Sequence, residues 1–238
     1  LLRADMYVAV AGPESSASLS DLDKQFAKTI LDLPEVVDVS NVRRIKIESR
    51  TGLTNVVAYG LNNPAFAGFH FKQGDGDAIR AEFEHSDVVI VSEPYVYHNE
   101  LRVNDTLELR TDKGYHQFTI VGVYTDYGSD QGVVSLSRRT YERFWEDDHY
   151  SGFGIYAEPG TDMALLRDKV QQLAPEKNLW IQDRSKILQA SLEVFDNTFV
   201  ITEILRVLAA IIAFLGVFSA LMALQLERTQ EHGLLRAI

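Results

Sequence analysis

The longest apolar run of the chain lies near its C-terminal end. Residues 207–224 read VLAAIIAFLGVFSALMAL, eighteen positions without a charged side chain. A surface helix of a soluble domain is apolar on one face, whereas this run is apolar on every face. A helix needs about 20 such residues to cross ~30 Å of hydrocarbon. The pattern predicts a transmembrane helix over residues 199–226, because the rest of the chain is too small to enclose a buried helix of this length.

Small residues recur along the predicted transmembrane helix at spacings of three and four. They define a candidate helix-packing face of Ala209, Ala213, Gly216 and Ala220. Small side chains let a neighbouring helix approach closely. The alternative is that Ala and Gly are simply common in membrane spans, and the sequence leaves both interpretations open.

The helical pattern begins before the span. Residues 184–198 contain neither Gly nor Pro, and an apolar stripe leads from them into the span. We predict one continuous helix, whose first part is a stalk that couples a folded body mechanically to the membrane. The alternative is a hinge near Asp196 and Asn197, since both residue types are weak helix formers.

The body upstream begins and ends with a strand–helix–strand pattern. The first unit has strands at residues 6–11 and 36–48, and Ser18 or Ser20 can cap the helix between them. The second unit has a helix over residues 162–173 with Leu165 and Leu166 directed inward. Such units pack as one layered lobe.

The middle of the body is rich in strand signals. Asp112-Lys113-Gly114 separates two alternating runs, which predicts a β-hairpin. Short helices are predicted at residues 93–99 and 137–145, and residues 62–77 read as a loop. The predicted fold is α+β, a βαβ-rich porter-like lobe with an inserted β-rich lobe, followed by a long stalk and transmembrane helix.

The predicted domains follow from these elements. They are a first half of the porter-like lobe (1–85), the inserted β-rich lobe (86–150), the second half of the porter-like lobe (151–183), the stalk helix (184–198), the transmembrane helix (199–226) and a cytoplasmic segment (227–238). The chain starts without Met and stops within a helical pattern, so we expect it to be part of a longer polypeptide.

Charge divides the chain in the same way. Residues 199–238 hold three basic and three acidic residues, so residues 1–198 carry the whole net charge of −11. An acidic body argues against nucleic-acid binding, which needs Lys and Arg. The chain has no cysteine, which excludes disulfides, thiolate metal sites and a cysteine nucleophile.

Motifs for catalysis and for nucleotide binding are absent from the sequence. It contains no P-loop, no G-x-S-x-G and no H-E-x-x-H. Asp147-Asp148-His149 reads as a solvated acidic turn rather than a metal site, and Asp75-Gly76-Asp77 as a flexible polar loop that lacks the later EF-hand ligands. We therefore predict no enzyme activity and no catalytic, cofactor-binding or metal-binding residue.

Three stretches carry a resemblance to a known family. They are residues 6–48 with Leu33-Pro34-Glu35-Val36, the hairpin region with Val103-Asn104-Asp105-Thr106 and Phe118-Thr119-Ile120-Val121-Gly122, and the final segment from Glu227 to Ile238 after the apolar helix. Together they resemble the FtsX-like, MacB-type permease subunits of ABC transporters. Asn104 stands where that family usually has Gly, and Asn also tolerates the left-handed turn conformation.

The resemblance implies an inner-membrane protein of bacteria with residues 1–198 in the periplasm or outside the cell. It implies a separate cytoplasmic ABC ATPase that uses ATP, so that this chain needs no cofactor of its own, and a second permease half or a periplasmic partner. Within the final segment, Glu231, Leu234, Leu235 and Arg236 match the ATPase-proximal stretch of the family.

The expected function is therefore that of a permease subunit. It would couple ATPase motion to a periplasmic domain that moves lipid, lipoprotein, peptide or drug substrates. The alternative is a membrane regulator or adaptor that activates a periplasmic cell-wall hydrolase. In either case the chain contacts the lipid bilayer and binds no nucleic acid.

Overall fold

A computed structural model describes residues 3–10, 22–126 and 128–235 of the chain. The strands in this part are β1 (Met6–Val10), β2 (Val36–Ser49), β3 (Gly52–Gly60), β4 (Phe71–Gln73), β5 (Val88–Ser92), β6 (Thr106–Thr111), β7 (Gly114–Tyr124), β8 (Val134–Ser137), β9 (Gly152–Ala157) and β10 (Leu179–Asp183). The helices are α1 (Lys24–Leu31), α2 (Asn63–Phe66), α3 (Gly76–His85), α4 (Glu93–Asn99), α5 (Arg138–Phe144), α6 (Met163–Leu173) and α7 (Arg184–Leu235). The predicted α+β class is confirmed.

The first and last strands of the body interleave. β1 lies between β10 and β9, and β9 lies between β1 and β2, with every pairing antiparallel. The order β10–β1–β9–β2 is that of two interleaved split βαβ units, with α1 following β1 and α6 following β9. These elements form the four-stranded lobe, which corresponds to the predicted porter-like lobe.

α1 and α6 contribute the helical half of this lobe's core. Phe26 and Ile30 of α1 and Leu166 and Val170 of α6 are buried in one cluster with strand residues such as Ile155. Burial of apolar surface stabilises such a layer by roughly 25 cal/mol per Å².

Two details of these helices differ from the sequence prediction. Asp23 is the N-cap of α1, and its carboxylate accepts a hydrogen bond from the Phe26 backbone N–H at 2.7 Å; the predicted caps, Ser18 and Ser20, lie outside the described residues. Leu165 is 54% exposed rather than inward, because the adjacent Leu166 takes the buried position of that turn.

β2 is long enough to serve a second set of strands. Its residues 41–49 pair with β3. The pairing then continues through β8, β5, β7 and β6, and Ser49 of β2 pairs with Leu109 of β6. These six strands close into a ring around an apolar cluster, here termed the barrel lobe, which contains Val56, Val89, Leu109, Phe118 and Leu136. The predicted β-rich inserted lobe is confirmed, while the residue boundaries predicted for the domains stay predictions.

The region after β3 is more ordered than its sequence indicates. Residues 62–77 contain α2 and β4 instead of a continuous loop. Asp75 is the N-cap of α3, and its carboxylate accepts a hydrogen bond from the Asp77 N–H at 3.0 Å. The interpretation of Asp75-Gly76-Asp77 as a flexible loop is therefore wrong. Ile79 and Phe83 bury the inner face of α3 in a third apolar cluster.

Gly132 gives a test of the barrel lobe's packing. Its φ is +80°, and a Cβ there would collide with the backbone of Tyr95 in α4. We expect Gly132→Ala to lower the free energy of unfolding by about 1–3 kcal/mol, measured by urea unfolding of the detergent-solubilised chain with tryptophan fluorescence. Gly76→Ala is the control, since a Cβ there would meet only the Phe71 ring, at 3.7 Å. Equal stability of the two variants would contradict this packing.

Candidate functional site

α7 is one helix of 52 residues. Its residues 202–222 are the single stretch, among the residues the structure describes, that is long and apolar enough to cross a membrane, and none of it is buried. Phe214 is 70% exposed. A helix bonds its backbone groups internally, as hydrocarbon requires. The predicted continuity of residues 184–198 with the apolar stretch is confirmed, and the helix is unbroken at Asp196 and Asn197.

The predicted contact residues of α7 stay predictions. The helix-packing face lies within the exposed stretch, at Ala209, Ala213, Gly216 and Ala220. A Cβ added at Gly216 would meet no atom within 4 Å, so this side of the helix has room for a neighbour. The ATPase-proximal residues Glu231, Leu234 and Leu235 lie in the last turns of α7, and Arg236 lies outside the described residues.

Asp5 ties the beginning of β1 to the beginning of α7. Its backbone N–H donates to the Ile155 carbonyl at 3.0 Å, and its own carbonyl accepts from the Arg184 N–H at 2.9 Å. Its carboxylate accepts from the Ala157 N–H at 3.0 Å. One residue thus holds β9 and the first residue of α7 together. We term Asp5 and its three hydrogen bonds, to Ile155, Ala157 and Arg184, the junction.

Neighbouring contacts fix the same end of the four-stranded lobe. Met6 of β1 is directly opposite Asp183, the last residue of β10, and the Asp183 carboxylate lies 3.4 Å from the guanidinium of Arg167 in α6. The Tyr7 hydroxyl accepts a hydrogen bond from the Ala4 N–H at 3.0 Å. Burial raises the pKa of Tyr7, so this hydroxyl stays neutral at physiological pH.

The junction is tested by Asp5→Ala. This change leaves the Ala157 N–H without its acceptor. It should lower the free energy of local opening at this end of β9 by about 1–2 kcal/mol. We expect faster amide hydrogen exchange at Ala157. Asp5→Asn is the matched control, because its amide oxygen can still accept the bond. Exchange as slow in Asp5→Ala as in the natural chain would show that the carboxylate does not hold this strand.

A second polar cluster lies where the chain passes between the two lobes. Arg43 of β2 is buried, and its Nε lies 2.7 Å from Oδ2 of Asp147. The Tyr141 hydroxyl of α5 donates to the same oxygen at 2.7 Å. The His149 N–H donates to the other carboxylate oxygen at 3.1 Å. Asp147 therefore accepts bonds from three directions.

Arg138 of α5 holds the same loop from its other side. Its guanidinium donates to the backbone carbonyls of His149, at 2.8 Å, and Asp147, at 3.1 Å. Its Nε donates to Glu142 at 3.0 Å. The guanidinium carbon lies 4.3 Å from the centre of the Tyr150 ring, which is a cation–π distance. The loop is thus clamped by a cation on each side.

The ionisation of the cluster follows from these contacts. Burial opposes ionisation of Asp147, but hydrogen bonds from Tyr141 and His149 and the charge of Arg43 prevail and lower its pKa. Burial, and then the bond to Asp147, raise the pKa of Tyr141. Asp147 is thus a charged acceptor and Tyr141 a neutral donor at neutral pH. The predicted solvated turn is right for Asp148, which is 77% exposed at its side chain, and wrong for Asp147.

The lowered pKa predicts a pH dependence. A depressed carboxyl pKa stabilises the fold above the unfolded value of about 3.9 and loses that effect as pH falls through the folded value. We expect Asp147→Asn to lose ~1.5–3 kcal/mol at pH 7 and the loss to shrink at pH 3, measured by urea unfolding. The exposed Asp168→Asn is the control. A loss of equal size at both pH values would contradict the charged state of Asp147.

Among the side chains that the structure describes, there is no group of three His, Asp or Glu that could hold a metal ion. The two polar clusters consist of hydrogen bonds and ion pairs that connect elements of the fold. Their arrangement suits the mechanical linkage of chain segments.

The described body is a split βαβ lobe with an inserted barrel, and it is followed by a helix whose residues 202–222 are long and apolar enough to cross a membrane. The chain belongs to the MacB-like periplasmic core domain family, whose profile matches residues 2–173. It is 30% identical over 242 residues to an uncharacterized ABC transporter permease protein of Mycobacterium tuberculosis, covering 100% of this chain and 28% of that relative. The chain thus spans just over a quarter of the relative's length.

Two solved structures share the fold. The periplasmic region of MacB from Actinobacillus actinomycetemcomitans aligns with a TM-score of 0.54 at 14% identity, over 78% of this chain and 91% of that one. The extracellular domain of the noncanonic ABC-type transporter YknZ from Gram-positive bacteria aligns with a TM-score of 0.52 at 8% identity, over 75% and 99%. The predicted family is confirmed. The family and the apolar stretch of α7 indicate a membrane protein with an extracellular segment.

Proposed function

We propose that this chain is the ectodomain and following transmembrane helix of an ABC transporter permease in the inner membrane of a bacterium. Residues 1–198 lie outside the cytoplasm in this proposal, and a separate ABC ATPase binds on the cytoplasmic side. ATP-driven motion of that subunit passes along α7 to the body, which moves a lipid, lipoprotein, peptide or drug substrate. The chain itself uses no cofactor.

The observation that carries this proposal is the unbroken helix from Arg184 to Leu235. Helical backbone kinks sharply mainly at Pro, at Gly or at a bulge. Residues 184–215 contain neither Pro nor Gly, so displacement at the body end of α7 reaches the first half of its apolar stretch. At Arg184 the helix is hydrogen-bonded to Asp5, and therefore to β1 and β9. The naming of the mycobacterial relative as a permease supports transport over the alternative, activation of a cell-wall hydrolase.

The experiment breaks the helix between its two ends. Replacing Asp196-Asn197 by Gly-Pro destabilises the helix at this point, since Gly is ~1 kcal/mol and Pro ~3 kcal/mol less favourable than Ala inside a helix. A fluorophore on Lys28→Cys, in α1, reports ATP-dependent movement of the body in the full-length permease reconstituted with its co-purifying ATPase. We expect the Gly-Pro variant to hydrolyse ATP and to lose the fluorophore response.

Replacement of the same two residues by Ala-Ala is the control, because it strengthens the helix and should preserve the response. A response in the Gly-Pro variant equal to that of the control would overturn the coupling role of α7. Failure of any ATPase to co-purify with the full-length protein would overturn the permease proposal itself.

A further inference from the structure

The two lobes of the body are joined by two chain segments. The first is β2, whose N-terminal part pairs with β9 in the four-stranded lobe and whose C-terminal part pairs with β3 in the barrel lobe. The second is residues 145–151, which lead from α5 to β9. Any change in the angle between the lobes must bend β2 and displace this loop.

An ion pair connects these two segments. Arg43 lies in β2 where its partner strand changes from β9 to β3, and Asp147 lies in the middle of the loop, 2.7 Å away. Backbone bonds reinforce the contact, since the Arg44 N–H donates to the Ser151 hydroxyl at 2.9 Å and the Ser151 N–H donates to the Val42 carbonyl at 2.8 Å.

The loop is also bonded to both lobes. Tyr150 exchanges two backbone hydrogen bonds with Leu22, which precedes α1 in the four-stranded lobe. Tyr141 and Arg138 hold the loop from α5 in the barrel lobe. The Arg43–Asp147 pair thus stands at the centre of a set of contacts that spans both lobes.

Stability alone does not account for an ion pair between a buried Arg43 and a half-buried Asp147. Apolar residues of similar volume often stabilise a fold equally well, because charges lose their hydration on burial. A guanidinium–carboxylate pair differs from apolar contacts in direction, since its hydrogen bonds are satisfied in a narrow range of positions. Rotation of one segment past the other breaks these hydrogen bonds, and the energy therefore rises steeply with the angle. Apolar side chains in the same place could slide past each other at a smaller cost.

We propose that Arg43 and Asp147 are positioning residues that lock the angle between the four-stranded lobe and the barrel lobe. The use of this lock rests on the proposed function: motion delivered by α7 to the four-stranded lobe then carries the barrel lobe as a rigid body. Without the lock, the same motion would dissipate as bending at β2 and residues 145–151.

The angle between the lobes can be measured with spin labels, because the chain contains no cysteine. Lys28→Cys lies in α1 of the four-stranded lobe. Ala78→Cys lies in α3, whose buried face packs with Ile90 of β5 and Tyr124 of β7 in the barrel lobe. Both positions are exposed. Double electron–electron resonance on the labelled chain in detergent measures the distance between the two spin labels. It should give one narrow distance distribution. We expect Asp147→Ala to broaden it strongly, and Arg43→Lys, which keeps the charge but not the guanidinium geometry, to broaden it less.

Glu108→Ala is the matched control. It removes an exposed ion pair between Glu108 and Arg50 within the barrel lobe and should leave the distribution narrow. Should Asp147→Ala fail to fold, Arg43→Met is decisive, since it removes the guanidinium of the pair and keeps most of the length of the side chain. A distribution as narrow in the folded Asp147 or Arg43 variant as in the natural chain would overturn the lock.

The two proposals fail separately. A broadened distribution in Asp147→Ala supports the lock even where no ATP-dependent response of the body exists, and that absent response counts against the transport proposal alone. An unchanged distribution together with an intact ATP-dependent response refutes the lock and leaves the transport proposal standing.

Discussion

A backbone amide in hydrocarbon finds no water to bond, and α7 satisfies this constraint by remaining helical throughout its apolar stretch. The same continuity extends beyond that stretch, since α7 starts at Arg184 and the apolar stretch starts at Thr202. The intervening helix is about 27 Å long at 1.5 Å per residue. In the proposed function, α7 is therefore both the segment that crosses the membrane and the mechanical connection to the body.

Polar contacts occupy the places where segments of the chain must keep a fixed relation, and apolar packing fills the rest. Asp5 joins two strands to the first residue of α7, and Arg43 with Asp147 joins the two passages between the lobes. Each lobe holds its own apolar cluster. This division is physically reasonable, because burial of apolar surface has no direction, whereas charge-assisted hydrogen bonds do.

Local signals in the sequence were sufficient for much of the fold. The apolar stretch of α7, the short helices α4 and α5 and the β6–β7 hairpin follow from periodicity and turn residues, and Asn104 adopts the left-handed conformation expected of it, with a φ of 74°. The sequence pattern did not predict α3. The helix begins with Gly and Asp after several residues typical of loops, and only two of its residues, Ile79 and Phe83, are buried.

Long-range relations could not be predicted in this way. Arg43 and Asp147 are 104 positions apart, and neither belongs to a motif. Asp5 and Arg184 meet only because β1 and β10 pair. The closure of six strands through Ser49 and Leu109 depends on register, which follows from the whole core rather than from any one strand. The polar sites of this body are therefore products of its topology.

The proposed coupling depends on α7 being one unbroken helix from Arg184 to the end of its apolar stretch. Amide hydrogen exchange of the full-length protein in lipid nanodiscs tests it directly, since exchange reports local opening of backbone hydrogen bonds. We expect continuous protection from the second turn of α7 to Met222, including Asp196 and Asn197. Rapid exchange confined to Asp196 and its neighbours, between two protected segments, would reveal a hinge and show that α7 is two helices.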